Sequence, residues 1–465
     1  MTIHALSDLP SRNAAGAYRA AERTDPYWGG MLPTGISDGW VNASDHRRAT
    51  AEQRRWSGVP GSFVMSRDEA LAQMRTNRHR PSILGALGAV SSWRTVTREQ
   101  LAAITGSAVM GNTYPKSLSA PFSAGLLSHG HASAGFNRLA PARDRMSMWA
   151  VGDQIDAYAR YRKSLTFAEH VAVTGGHGWD SAHRFDRHNV LTTELALRVA
   201  EFCDVATVLG EKQMGLPALL AAAEINPAQE DLGRKPDAGI VRRDGLIIAI
   251  ETTASVGESF RRKVTKWAQS LQRHPSYELP LVVLFIDVST PSQATSAAAK
   301  NTTGAEIQAA IREAVRDYPG TALNRTADRI CMVSWPTWFP APHEASSDFL
   351  GLTASFLDRE NGRSNGWRDV RLFDETEMPY REGSPDAGEV IATNARLLAG
   401  TPHWLRPGTV PRTDQYLLSH VDTTGVAALV DPSVPDRMTG PGFTRTVAGR
   451  KWRPLVRLDP VRQAA

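Results

Sequence analysis

Two cysteines, eight lysines and no long apolar run bound what this chain of 465 residues can be. Cys203 and Cys331 are too few for a disulfide framework or a cysteine-rich zinc site, so two buried thiols are expected. No apolar stretch reaches membrane-spanning length, and residues 1–30 contain no apolar signal core. A cytoplasmic protein without a membrane partner is therefore expected. Hydrophobic residues make up 42% and charged residues 22%, which places the chain with ordinary globular proteins. Its length accommodates two or three domains. His170, His177, His183 and His188 follow no zinc-ligand spacing. Gly175-Gly176-His177-Gly178 does not join a strand to a helix, which argues against a phosphate loop. The lysine shortage has a counterpart. Of 53 basic residues all but eight are arginine, and the net charge is +5. Arginine's planar fork suits phosphate oxygens, although GC-rich coding also favours Arg, Ala and Gly. The bias is compatible with nucleic-acid binding without establishing it.

The most informative stretch is Lys235-Pro236-Asp237, followed by an apolar hairpin ending in Glu251. Ala238–Arg243 and Leu246–Ile250 read as strands around an Asp244-Gly245 turn. An acid ending an aliphatic strand needs a reason, because burying an unpaired carboxylate is costly. Two acids at the open end of one hairpin can share a divalent cation. Register decides whether they do. A two-residue loop would pair Ala238 with Glu251 and turn Asp237 to the other face. A three-residue loop, Arg243-Asp244-Gly245, pairs Asp237 with Glu251, and glycine suits its last position. The three-residue loop is the expectation. The bland alternative is an edge hairpin carrying two solvated acids.

Along the chain, residues 1–80 are rich in Gly, Pro, Ser and Arg and read as poorly ordered, with one short helix near 67–76 capped by Ser66. Residues 81–155 read as three helices and a β wing. The second helix opens with Thr97 and Gln100 at capping-box spacing, and the third spans about 116–127. This order resembles a winged helix-turn-helix, with Lys116, Ser117 and Ser119 in a major groove and Arg143 and Arg145 of the wing beside phosphates. The alternative is a helical subdomain that only packs. Residues 156–190 read as a connector. From about 190 to 335 the order is αβββαβαβ, with the apolar run 281–286 as a central strand. Residues 336–465 show a helix near 390–399 and a basic tail, and suggest no fold.

The order over 190–335 resembles the PD-(D/E)xK nuclease core. The whole layout resembles the replication-relaxation family of plasmids, phages and integrative elements. The matching residues are His188-Asn189-Val190-Leu191, Glu211 after the first strand, Lys235-Pro236-Asp237, Ile250-Glu251, and Lys263 four before Trp267. They lie within residues 85–335. The resemblance implies an α/β chain: a winged helix-turn-helix followed by a restriction-endonuclease-like αβββαβ core over 156–335. It implies Mg²⁺ on Asp237, Glu251 and Glu211 if the site is active, and double-stranded DNA as partner, with replication or transfer proteins of the same element. The nuclease motif expects a lysine two residues after the hairpin acid, where this chain has Thr253. Either Lys263 on the next helix replaces it, or Arg261, Arg262, Lys263 and Lys266 form a basic face that contacts phosphate. Three functions stay open: a DNA-binding protein with a degenerate nuclease-like domain, an active Mg²⁺-dependent endonuclease, and a protein–protein adaptor.

Overall fold

The structure, a computed structural model, describes residues 2–29, 39–52, 59–76, 78–133, 145–152, 155–179, 186–289, 302–358, 366–380, 387–406, 446–447 and 450–451. The chain is mixed α/β and folds into two compact units. One comprises Arg12–Leu197, Leu209–Gln213 and Ala392–Ala465; the other comprises Met1–Ser11, Arg198–Val208 and Met214–Ile391. Among the described residues no helix is long and apolar enough to cross a membrane.

The second unit is built on a seven-stranded mixed sheet. Its strands are β1 (Val205–Gly210), β2 (Ala238–Arg242), β3 (Ile247–Thr253), β4 (Leu281–Asp287), β5 (Ile330–Ser334), β6 (Thr353–Asp358) and β7 (Gly366–Arg371). They lie side by side in chain order. β2 and β3 are antiparallel, β4 is parallel to both β3 and β5, and β6 and β7 return antiparallel. β3 and β4 are buried along their whole length, and β4, an apolar run between two parallel neighbours, is covered on both faces. Helix α1 (Glu258–Arg273) joins β3 to β4, and α2 (Thr302–Asp317) joins β4 to β5. α1 buries Phe260, Val264, Trp267, Ala268 and Leu271, one stripe at helical spacing, and packs against α2.

The C-terminal end of α1 is anchored by two buried charges. Arg329 donates to the carbonyls of Leu271, His274, Leu279 and Leu281 and to Asn324 Oδ1, all at 2.6–3.0 Å. Burial pushes its guanidinium down to about 9. Asp231 accepts from Arg273, His274, Ser270 and the Ala228 N–H. Burial pushes the Asp231 carboxyl upward, but the His274 and Ala228 hydrogen bonds and the Arg273 charge leave it lowered. A cation at a helix C-terminus satisfies carbonyls that the helix itself leaves open.

The first unit contains an antiparallel sheet in which Gly39–Val41, Leu127–Ser133, Arg145–Val151 and Thr95–Thr97 lie in that order. Three helices, Arg80–Trp93, Arg98–Thr105 and Lys116–Ala124, accompany it. The second carries the expected capping box between Thr97 and Gln100. The third ends at Gly125, whose left-handed φ of 86° turns the chain into the next strand.

Three readings of the organisation are corrected. Residues 1–80 were expected to be poorly ordered. Their described parts contain the helices Ala43–Ala51 and Arg67–Arg75, the latter capped by Ser66 as expected. These pieces are too short to show periodicity, yet they bury Phe63, Ala70 and Met74. Residues 156–190, read as a connector, pack within the first unit through helices Ile155–Arg162 and Phe167–Thr174 and the buried Arg80–Glu169 ion pair. Residues 336–371, left without a fold, supply β6 and β7 of the large sheet. Most of the basic tail, and His183, lie outside the described residues.

Candidate functional site

The hairpin register is the three-residue-loop one. Ala238 faces Ile250 and Val241 faces Ile247, and Arg242 N donates to Leu246 O at 2.8 Å. Gly245 closes the loop at φ 101°, a conformation that glycine adopts without a side-chain clash. Backbone register places Asp237 beyond the end of β2, opposite Glu251, close enough for its charge to raise the Glu251 carboxyl. Asp237 Oδ2 accepts from Thr252 N at 2.7 Å and from Thr252 Oγ1 at 2.9 Å. Thr252 follows Glu251 in the strand, so its side chain leaves on the opposite face.

Glu251 is 2% exposed, and both of its oxygens are engaged by α1. Lys263 Nζ lies 2.7 Å from Oε2, and Trp267 Nε1 donates to Oε1 at 2.7 Å. Positions 263 and 267 are one helical turn apart, so one face of α1 presents both groups to the carboxylate. Burial pushes the Glu251 carboxyl up to about 7; Lys263 opposes this, Asp237 adds to it, and the hydrogen bonds from Lys263 and Trp267 oppose it. We attribute the direction to burial, because a carboxylate removed from water loses more than one half-exposed ammonium returns.

Glu251 forms the floor of a cleft of about 310 Å³. One wall is the loop Gly233, Arg234 and Lys235; the other is α1 through Ser259, Arg262, Lys263, Lys266 and Trp267. Five cations thus face one carboxylate. Arg262 lies 3.7 Å from Glu258 in an exposed pair, whereas neither Lys235 nor Lys266 has an ion-pair partner among the described residues. Arg261 faces elsewhere, 4.0 Å from Glu313.

The other expected site residues are dispersed. Glu211 pairs with Arg94 at 3.3 Å. Among the described residues no group of three His, Cys, Asp or Glu side chains could hold a metal ion. The donor set does not fit a divalent cation: Glu251 is engaged by an ammonium and an indole, Asp237 accepts from Thr252, and Glu211 pairs with Arg94.

On the helix Lys116–Ala124, Lys116 is exposed and Ser117 half-buried. Ser119 is a correction: it is 7% exposed, and its hydroxyl donates to Phe63 O at 2.5 Å. The helix Arg67–Arg75 packs on this helix, Ser123 O accepts from Arg47, and the Ser123 hydroxyl accepts from Met65 N. Ser119 is thus a packing residue here. Arg143 lies outside the described residues, and Arg145 is described only as a strand residue.

Sequence reasoning missed Arg234, Lys235 and Trp267 as parts of the cleft. The signal for Trp267 was its four-residue spacing from Lys263. Lys235 was visible beside Pro236-Asp237, but nothing local indicated that its loop faces α1. A scan against protein-family models and searches of curated proteins and solved structures find no match for this chain.

Proposed function

We propose that the chain is a DNA-binding protein of a mobile element, with a winged-helix module and a degenerate nuclease-like module, acting in replication, transfer or regulation in the cytoplasm. The observation that carries this reading is the cleft beside Glu251. Its one carboxylate is already paired with Lys263, and Lys235, Arg262 and Lys266 are exposed around it. A concave surface with surplus positive charge attracts phosphates and releases their counterions on binding.

Topology supports the two-module layout. The three neighbouring strands β1–β3, then α1, then β4 parallel to β3 follow the order expected for a nuclease-like core, with a short extra helix, Leu216–Ala222, between β1 and β2. In the first unit Thr95–Thr97 lies beside Arg145–Val151, which pairs in turn with Leu127–Ser133, an arrangement in keeping with a winged helix. The covered third helix supports contact through Lys116 rather than through a helix laid deep in the major groove.

The test is duplex binding by the full chain as a function of salt. Replacing Arg262 and Lys266 with alanine is expected to weaken binding and lower the salt slope by about two, one per lost phosphate contact. An unchanged slope would overturn the cleft's role, and no duplex binding at any salt would favour the adaptor reading. One observation favours a second function. The Lys263 ammonium sits on Glu251, where a migrated catalytic lysine would stand. Mg²⁺- or Mn²⁺-dependent plasmid nicking, lost in both Asp237→Ala and Lys263→Ala with binding kept, would establish an endonuclease instead.

A further inference from the structure

The poor fit between this cleft and a metal ion points to what the cleft does hold. Where a metal-dependent site would neutralise phosphate charge with a divalent ion, this one offers five side-chain cations. Two of them, Lys235 on the loop wall and Lys266 on the helix wall, have no ion-pair partner among the described residues. We propose that the cleft binds a phosphate monoester directly, without a metal, and that its source is the terminal phosphate of a DNA strand. The choice of source rests on the DNA-binding reading above; the chemistry of the cleft does not.

Size is the first argument. About 310 Å³ stands at the lower end of the roughly 300–1,000 Å³ typical of small-ligand sites. That is room for a phosphate and its sugar within the cleft, while a length of duplex would reach only the exposed cations at its rim. Duplex DNA presents one charge per roughly 1.7 Å of axis and calls for an extended basic track. Charge is the second. A phosphate monoester carries about −1.5 to −2 at neutral pH, whereas each internal diester carries a single charge. Lys263 is paired with Glu251 and Arg262 with Glu258, which leaves Lys235, Lys266 and the Ser270-bonded Arg234 as positive charge for a dianion. Construction is the third. Lys263 is held in place by Glu251, and Glu251 by Trp267, so the deepest cation is positioned before any ligand arrives. Ser259, in the first turn of the 16-residue α1, lines the mouth, and the Gly257 cap position offers no side chain to that turn's N–H groups. Those groups add to the attraction for an anion already drawn by the lysines.

The experiment uses the full chain in EDTA. Blunt hairpin duplexes with 5′-phosphate, 3′-phosphate or hydroxyl ends are compared by fluorescence anisotropy, with inorganic phosphate and a nucleoside monophosphate as competitors. Expected is at least tenfold tighter binding of a phosphorylated end than of a hydroxyl end, competition by both small phosphates, and loss of the preference in Lys235→Ala/Lys266→Ala. Lys235→Arg/Lys266→Arg should restore it, which separates lost charge from lost folding. Salt-sensitive DNA binding that ignores the end group would overturn the phosphate site and leave the DNA reading standing. Small-phosphate binding without DNA binding would support the site and overturn DNA as its source. An end preference that appears only with added Mg²⁺ would overturn metal independence.

Discussion

Helices Lys116–Ala124 and Glu258–Arg273 both carry serine and basic residues in their N-terminal halves, yet they are packed differently. The first is buried from Leu118 onward, with Ser119 and Ser123 bonded to the segment 63–65 and Phe122 packed 5.6 Å from Phe63. The second buries a single stripe, is clamped at its C-terminal end by Arg329 and Asp231, and lifts Arg262 and Lys266 into solvent beside the cleft. A helix buried from its third residue onward leaves only its first turn, Lys116 and Ser117, open to a ligand. A helix held along one stripe and at one end can present a charged turn at little cost in stability. The comparison leaves the second helix with the larger exposed basic face.

The largest effect that would sharpen the comparison lies at the clamp. Arg329→Met removes the only charged donor from five buried acceptors. It should destabilise the second unit by about 3–5 kcal/mol, the usual cost of leaving a buried polar network without its partner. Chemical denaturation of the variant measures it. A loss under about 1 kcal/mol would mean that the α1 end is not held as described.

The cleft floor makes a smaller, pH-dependent prediction. The Glu251 carboxyl is raised from 4.5 to about 7 by burial, with Lys263 opposing and Asp237 reinforcing it. Between those values the folded state holds a proton that the unfolded state has released. Stability from this group is therefore full below pH 4.5 and is lost as pH rises through about 7. Glu251→Gln should remove a slope of up to one proton from the stability–pH profile in that window. An identical slope in the variant would show that Glu251 does not titrate there.

The smallest effects separate packing from contact on the covered helix. Ser119→Ala should cost about 1 kcal/mol through its lost bond to Phe63 O, with DNA affinity unchanged. Lys116→Ala should do the reverse, leaving the melting temperature in place and lowering the salt slope of binding by about one. Loss of DNA affinity in Ser119→Ala at unchanged stability would break the comparison, because it would put this helix face on DNA.

Much of the local structure was legible because its causes are local. Thr97 and Gln100 cap their helix reciprocally, and Gly245 selects the three-residue loop and with it the hairpin register. The aliphatic run 281–286 lies in the centre of its sheet, and Cys203 and Cys331 are buried free thiols. The candidate site was legible in part. Lys263 meets Glu251 as its helix position allowed, whereas Asp237 turns to Thr252 and Glu211 to Arg94.

The sequence by itself determined turns, caps, strand positions and the amphipathic stripe of α1, because propensity and side-chain periodicity act over a few residues. Only the tertiary structure decided which charges are used up and which remain. A cation's role depends on the groups that reach it from distant parts of the chain: Glu251 reaches Lys263, the segment 63–65 closes over Ser119, and the loop 233–235 brings Lys235 to face Lys266. Burial then sets the charge state of each group through desolvation, and no local pattern encodes that.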